Sequence, residues 1–282
     1  MNKIAIVTDS TVNLPQNLIN EYQITVAPQI VIWDNQTYRD GVDIQTAEFY
    51  QRLKTSTSMP SSSQVSPSTM AGIFNGLLEQ GYDVLGIFIS NKLSGTMASA
   101  TQAKAALSGR PVEIVDSYAA SMALGFQVLQ AARAAQNGAT LKECKALIEK
   151  ARHQANAYFV VSTLDFLHRG GRIGNAAHIL GTALDLKPIL YIKDGAVGSA
   201  AKVRTQKKAY EKLLDLVGKE LDHSRQNRIS ILHADAAELA EQTLQECVRR
   251  FNPVESMITE LSPVIGTHTG PGTIGVAFLR DM

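Results

Sequence analysis

Along the first half of the chain, short apolar runs of strand length alternate with segments whose apolar residues recur at helical spacing. Strand Lys3 to Thr8 precedes a helix that Pro15 opens and Tyr22 closes, a second strand region runs from Ile24 to Trp33, and the Met70, Ile73, Phe74, Leu77, Leu78 helix precedes strand Val84 to Ile89. Helix Gly95 to Leu107, strand Val112 to Val115 and helix Ser121 to Gln136 continue the series. Strands separated by helices cannot pair as hairpins. They require a parallel sheet with right-handed crossovers, and such a sheet binds ligands at the carboxyl ends of its strands. Those ends carry Asp9, Ser90 to Ser94 and Asp116-Ser117.

The pattern changes after a charge-paired helix over Leu141 to Asn156. Strand Tyr158 to Val161 is followed by a turn from Ser162 to Gly174, a helix to Gly181 and a strand into Lys193. Asp194-Gly195 then predicts a hairpin into Ala196 to Val203. Two helices alternate with two strands up to Leu261, and a glycine-rich turn from Pro263 leads to a last strand. At 282 residues the chain is long for one core. The expectation is two α/β domains: residues 1–156 with a Rossmann-like parallel sheet, and a smaller α/β domain over 157–282 with a mixed sheet.

Charge excludes two classes of partner. Net charge is +1, with Lys+Arg 27 against Asp+Glu 26, which leaves no electrostatic footprint for nucleic acid or for an anionic membrane. The first apolar run turns polar at Thr8-Asp9-Ser10, too early for a signal peptide, so a cytoplasmic protein is expected. Ser117 to Ala132 has no charged residue, yet its length and its Ser, Gln and Gly content suit a core helix rather than a membrane span. Cys144 and Cys247 fall on apolar helix stripes and read as buried free thiols.

Two stretches carry polar groups at places where ligands bind. In Ile87 to Ala100 an apolar strand breaks at Ser90-Asn91-Lys92 and restarts as a helix of small residues, which sets Ser94 and Thr96 beside unpaired helix-start amides. The same hydroxyls also serve as helix caps, and the stretch alone does not separate the two readings. The run Thr55 to Thr69 holds many hydroxyls, and Ser66-Pro67 at its end forms a helix start, which favours an ordered loop over a linker.

Several chemistries find little support. Gly270-Pro271-Gly272-Thr273-Ile274-Gly275 matches G-x-G-x-x-G but lies at the last strand, with no helix to follow, and no P-loop is present. Ser94, Asp116 and His268 can be drawn as a hydrolase triad, but no G-x-S-x-G elbow surrounds a serine. A serine-type hydrolase or esterase acting on a lipid-like substrate is the alternative function. His233 and Asp235 are the nearest approach to a metal pair, and no H-E-x-x-H occurs.

The motifs taken together resemble the DegV family. They are Thr8-Asp9-Ser10-Thr11, Asp40-Gly41-Val42-Asp43 with Glu48-Phe49-Tyr50, Ser61 to Pro67, Ser90 to Thr96 with Ser99-Ala100, Leu164 to Ile173, Lys187-Pro188-Ile189, Val203-Arg204-Thr205 with Lys207-Lys208-Ala209, and Gly266 to Gly272. The resemblance implies a two-domain fold, no cofactor, and a long-chain fatty acid held inside one domain with its carboxyl group at the interdomain cleft. It further implies a non-catalytic subunit that presents that group to a separate ATP-dependent fatty acid kinase, which makes an acyl phosphate. Carried over by motif, Ser62, Ser94 and His268 contact the head group, with Gly95, Thr96 and Thr267 in its vicinity. Arg172 and Arg204 flank the mouth and serve phosphoryl transfer or the partner contact. Where many relatives have Thr and then Pro around the Gln, this chain has Ser62 and Val65, which keeps the hydroxyl and loses a methyl.

That division of labour is physically sound. A tail of about fourteen methylenes contributes on the order of 10 kcal/mol on burial, before ordering costs. Its carboxyl group needs hydrogen-bond partners, because an unpaired buried polar group costs several kcal/mol, roughly 2–7. Hydroxyls, helix-start amides and a histidine supply them, and arginine suits a planar phosphate.

Overall fold

The computed structural model describes residues 3–179, 186–221 and 226–280. In chain order the first half comprises β1 (Ile4–Asp9), α1 (Gln16–Glu21), β2 (Thr25–Ala27), β3 (Ile30–Trp33), β4 (Gln36–Arg39), α2 (Thr46–Thr55), β5 (Ser61–Ser63) and α3 (Pro67–Glu79). It continues with β6 (Asp83–Phe88), α4 (Thr96–Ala106), β7 (Val112–Asp116), α5 (Met122–Gln136) and α6 (Leu141–Ala151). The second half comprises β8 (Ala155–Val160), α7 (Asp165–Arg169), β9 (Lys187–Lys193), β10 (Ala196–Val203), α8 (Gln206–Glu220), β11 (Arg228–His233), α9 (Ala237–Phe251), β12 (Glu255–Glu260), α10 (Pro263–Thr269) and β13 (Ile274–Leu279).

The alternation of the first half produces the parallel sheet it requires, in the order β2-β1-β6-β7. The second half builds a separate mixed sheet, β10-β9-β8-β13-β11-β12, in which only β11 and β12 run parallel. This is the expected α/β class, although the second sheet has six strands against four in the first. Asp194 at φ 50° and Gly195 at φ 80° make the hairpin turn between β9 and β10.

Local sequence explains two of the helix starts. The Ser66 side chain caps α3 with Pro67 in its first turn, and Thr140 with Glu143 forms a capping box on α6. Cys144 and Cys247 are both fully buried free thiols, and burial pushes Cys247 up to about 12.

Five expectations need correction. The apolar region from Ile24 to Trp33 is two strands, because Pro28 interrupts it: β2 joins the parallel sheet and β3 pairs with β4 and β5 in a small antiparallel sheet. Part of the serine-rich run is itself a strand, β5, ordered by pairing with β3. The helix expected to run to Asn156 ends at Ala151, and β8 begins at Ala155, so that strand straddles the expected boundary at 156/157. Gly174–Ile179 forms a 3-10 helix, and the rest of the segment expected to reach Gly181 lies outside the described residues. The turn expected from Pro263 is the short helix α10, which Pro263 opens and Gly270, at φ 73°, ends.

From Met122 onward the uncharged segment lies in the core helix α5, which runs past it to Gln136. Every residue from Met122 to Leu129 is buried. It touches β1 and β6 of the parallel sheet and β8, β11 and β13 of the mixed sheet, so both sheets share one apolar cluster. Arg133, near its carboxyl end, makes a bidentate ion pair to Glu255 of β12 at 2.8 and 2.9 Å.

Candidate functional site at the sheet junction

The carboxyl ends of β1 and β6 face the mixed sheet across a cavity of about 180 Å³. Ile89, Leu93, Phe159, Leu167, Ile192 and Val197 make its apolar wall, and Thr11, Gln29, Ser62, Gln64, Ser94 and His268 make its polar wall. A water-sized group occupies roughly 10–15 Å³ by this measure, so the space suits a slender chain of on the order of a dozen such groups.

Ser62 is positioned by strand pairing, opposite Val31 of β3. His268 comes from α10, which is seated closely against α2: a Cβ on Gly266 would lie 2.6 Å from the Tyr50 hydroxyl, and that hydroxyl donates to the Leu261 carbonyl at 3.0 Å. The two meet, with Ser62 Oγ 2.7 Å from His268 Nε2. Nδ1 of the same ring is buried without a hydrogen-bond partner among the described residues and lies against Gly170, where a Cβ would come within 2.1 Å of it. Burial and, next, the Arg172 guanidinium push His268 down to about 4, so the ring is neutral at pH 7.

Ser94 sits one turn before α4. Its Oγ lies 3.0 Å from Thr96 Oγ1, accepts from Thr96 N at 3.3 Å and donates to Gln29 Oε1 at 3.4 Å. It therefore does both things the sequence allowed, holding the helix start and facing the cavity. Gly95 permits Gln64 to lie across this turn, since a Cβ there would fall 1.9 Å from Gln64 Oε1. Gln64 Nε2 in turn donates to Ser99 Oγ at 3.1 Å.

Behind this wall lie two buried carboxyl groups. Asp9 accepts from Thr11 N, Thr11 Oγ1, Gln29 Nε2 and Ile89 N. Asp40 accepts from the Ser10 hydroxyl at 2.7 Å and from Val264 N at 3.4 Å, which ties the loop after β1 to the start of α10. Burial pushes Asp40 up to about 6.

Of the residues singled out in the sequence, Ser62, Ser94, Gly95, His268 and Arg172 line one cavity. Thr96 and Thr267 are buried behind it, Thr267 donating to the Pro263 carbonyl at 2.9 Å. Arg172 spans the cavity wall: Nε donates to the Leu93 carbonyl at 2.9 Å and Nη1 to the Gly170 carbonyl at 2.7 Å. Arg204 does not line the cavity. It is exposed just past β10, seven residues beyond Val197 and roughly 20 Å from it along the strand.

The imagined triad is not assembled. Asp116 accepts from the backbone of Asn91 and Tyr118, and among the described residues no carboxylate meets His268 Nδ1. The sequence reading missed Gln29, Gln64 and the apolar wall. For Gln29 there was a signal, an amide beside Pro28 within an otherwise apolar run.

Comparison with known proteins bears on this arrangement. A family model described as "Uncharacterised protein, DegV family" matches residues 3–281. A DegV domain-containing protein of Listeria innocua is 35% identical over 98% of both chains. Among solved structures, a fatty-acid-binding DegV family protein of Thermus thermophilus superimposes with a TM-score of 0.93 at 36% identity, covering 99% of this chain and 100% of its own. A stearic-acid-binding protein of Eubacterium ventriosum does so with a TM-score of 0.92 at 27% identity, covering 99% and 98%. Sequence and fold agree along the whole length, and the chain belongs to the DegV family.

Proposed function

We propose that this protein binds a long-chain fatty acid, with the tail along the apolar wall and the carboxyl group at Ser62, Ser94 and His268. The observation that carries the reading is the 2.7 Å contact between Ser62 and His268 at the polar end of a largely apolar cavity. It is supported by the relatives from Thermus thermophilus and Eubacterium ventriosum, which are described as binding fatty acid and stearic acid.

The neutral ring gives Ser62 a direction. Nδ1 has no hydrogen-bond partner among the described residues, so we assign the ring hydrogen to Nε2, where Ser62 Oγ accepts it. The Ser62 hydroxyl hydrogen is then free for a ligand oxygen. Among the described residues no third group orients His268 as a base, which suits the site to holding an acid rather than cleaving an ester.

The protein acts as a cytoplasmic carrier with no turnover of its own. It hands the exposed side of the carboxyl group to a separate ATP-dependent kinase for acyl-phosphate formation, with Arg172 at the cavity and Arg204 on the partner-facing surface. Among the described residues no group of side chains is arranged to hold a metal, and no helix is long and apolar enough to cross a membrane.

Native mass spectrometry of protein purified from cells, compared with the denatured chain, tests the reading. A bound mass that organic extraction identifies as a long-chain fatty acid is expected. A cavity that stays empty when palmitic acid is supplied, or that retains a nucleotide, overturns it.

A further inference from the structure

Gln29 stands between β2 and β3 and is only 2% exposed, yet it forms part of the cavity wall. Its backbone is held on both sides: N–H donates to Ser10 Oγ at 3.0 Å, and the carbonyl accepts from Asp40 N at 2.9 Å. Its side chain is oriented by Asp9, to which Nε2 donates at 3.0 Å. Because that carboxylate oxygen is an acceptor, the amide cannot be turned round, and the Gln29 carbonyl must face Ser94.

The polar end of the cavity therefore offers a defined set of groups. Thr96 is fully buried, and Ser94 Oγ is the one partner its hydroxyl has among the described residues, so Thr96 donates to Ser94. With the Thr96 amide also directed at that oxygen, Ser94 has its hydrogen left to give. With the ring hydrogen assigned to Nε2, Ser62 accepts it across the 2.7 Å contact and likewise has a hydrogen to give. Two hydroxyl donors thus stand beside one fixed carbonyl acceptor.

A carboxylate would satisfy the two donors and draw the Ser94 hydrogen away from Gln29, leaving a buried carbonyl without a partner. An undissociated acid satisfies all three, because its own O–H replaces the Ser94 hydrogen at Gln29 Oε1. The acidic groups around the site favour the same form, and the Arg172 guanidinium at the cavity wall, which keeps its charge, opposes it. Asp9 of β1 lies directly behind Gln29, Asp40 lies beyond Ser10, and His268 of α10 is uncharged. The Arg172 guanidinium spends Nε and Nη1 on backbone carbonyls.

Building on the fatty-acid reading, we propose that the ligand is bound with its proton on: its carbonyl oxygen accepts from Ser62 and Ser94, and its O–H donates to Gln29 Oε1. The site recognises the undissociated carboxylic acid and not its anion.

Palmitic acid labelled with carbon-13 at its carboxyl carbon, bound to the full-length protein, tests this by NMR. The bound resonance is expected at the position of the undissociated acid at pH 7 and unchanged down to pH 5. Affinity is expected to fall about ten-fold per pH unit above pH 6, as one proton is taken up with the ligand. Gln29→Met is expected to weaken binding at pH 7 by about ten-fold, the loss of one buried hydrogen bond, and to move the resonance toward the carboxylate position. A bound resonance at the carboxylate position in the wild-type protein at pH 7 overturns the proposal, whether or not the variant folds. No bound resonance at any pH overturns instead the reading of the cavity as a fatty-acid site.

Discussion

Ser62 and His268 stand 206 positions apart in the chain and 2.7 Å apart in space. One is delivered by a three-residue strand in a serine-rich run, the other by the last turn of a short helix wedged against Phe49 and Tyr50. The pair exists only when both halves are folded together, so the head-group end is a product of tertiary structure.

Removing either hydroxyl should weaken the grip on the ligand. Ser62→Ala and Ser94→Ala are each expected to lower affinity for palmitic acid by roughly ten-fold, the usual loss for one hydrogen bond in a dry site, and to lower Tm by a few degrees, because each leaves a buried group of His268 or Thr96 without its partner. Isothermal titration calorimetry measures it. Wild-type affinity in both variants would show that the head group lies elsewhere.

The His268 ring should stay neutral through the physiological range. Its folded-state pKa of about 4 lies below the ordinary value of 6.5, so the folded protein binds the proton less readily than the unfolded chain. Its contribution to stability is fully present above pH 6.5 and is lost as pH falls toward 4, on the order of 3 kcal/mol in all. Nitrogen-15 NMR of the ring should show no titration between pH 6 and 8, and a midpoint within that window would contradict the burial argument.

Asp40 has the opposite sense. Its folded-state pKa of about 6 lies above the ordinary 3.8, so the native state holds this proton more tightly than the unfolded chain does. That stabilisation is complete below about pH 3.8 and is lost as pH rises through 6, up to about 3 kcal/mol. Urea unfolding of wild type and Asp40→Asn at pH 7.5 and 5 reads it. The difference in stability should move in favour of wild type at the lower pH, and no movement would mean that Asp40 is ionised throughout.

Arg204 and the cavity should separate functionally. Arg204→Ala is expected to bind palmitic acid with wild-type affinity and to form acyl phosphate at least ten-fold more slowly with a kinase partner, since one or two charge-assisted hydrogen bonds would be lost there. Equal loss of both activities would place Arg204 in ligand binding, against its exposed position past β10.

The parallel sheet was legible because helix-length and strand-length apolar periods alternate, and that signal is local. Cys144, Cys247 and the core helix α5 were legible for the same reason. The small sheet of β3, β4 and β5 was not, since three serines have no strand pattern and owe their conformation to pairing with Val31 and its neighbours. The strand-to-helix break marked Ser94 as a cap or a ligand contact without separating the two, and its head-group role, like those of Ser62 and His268, needed the family resemblance. Gln29 escaped because its role depends on Asp9 behind it and Ser94 before it, contacts that no window along the chain contains.

The helix α5 has a consequence for how such a protein can be divided. Cut at the linker after Ala151, the leading fragment would expose one flank of Met122 to Leu129 to water, and the trailing fragment would expose the underside of β8 and β13. Each piece would present a greasy plane meant for the other. A gene split there would yield two sticky polypeptides, not a detachable lid and base.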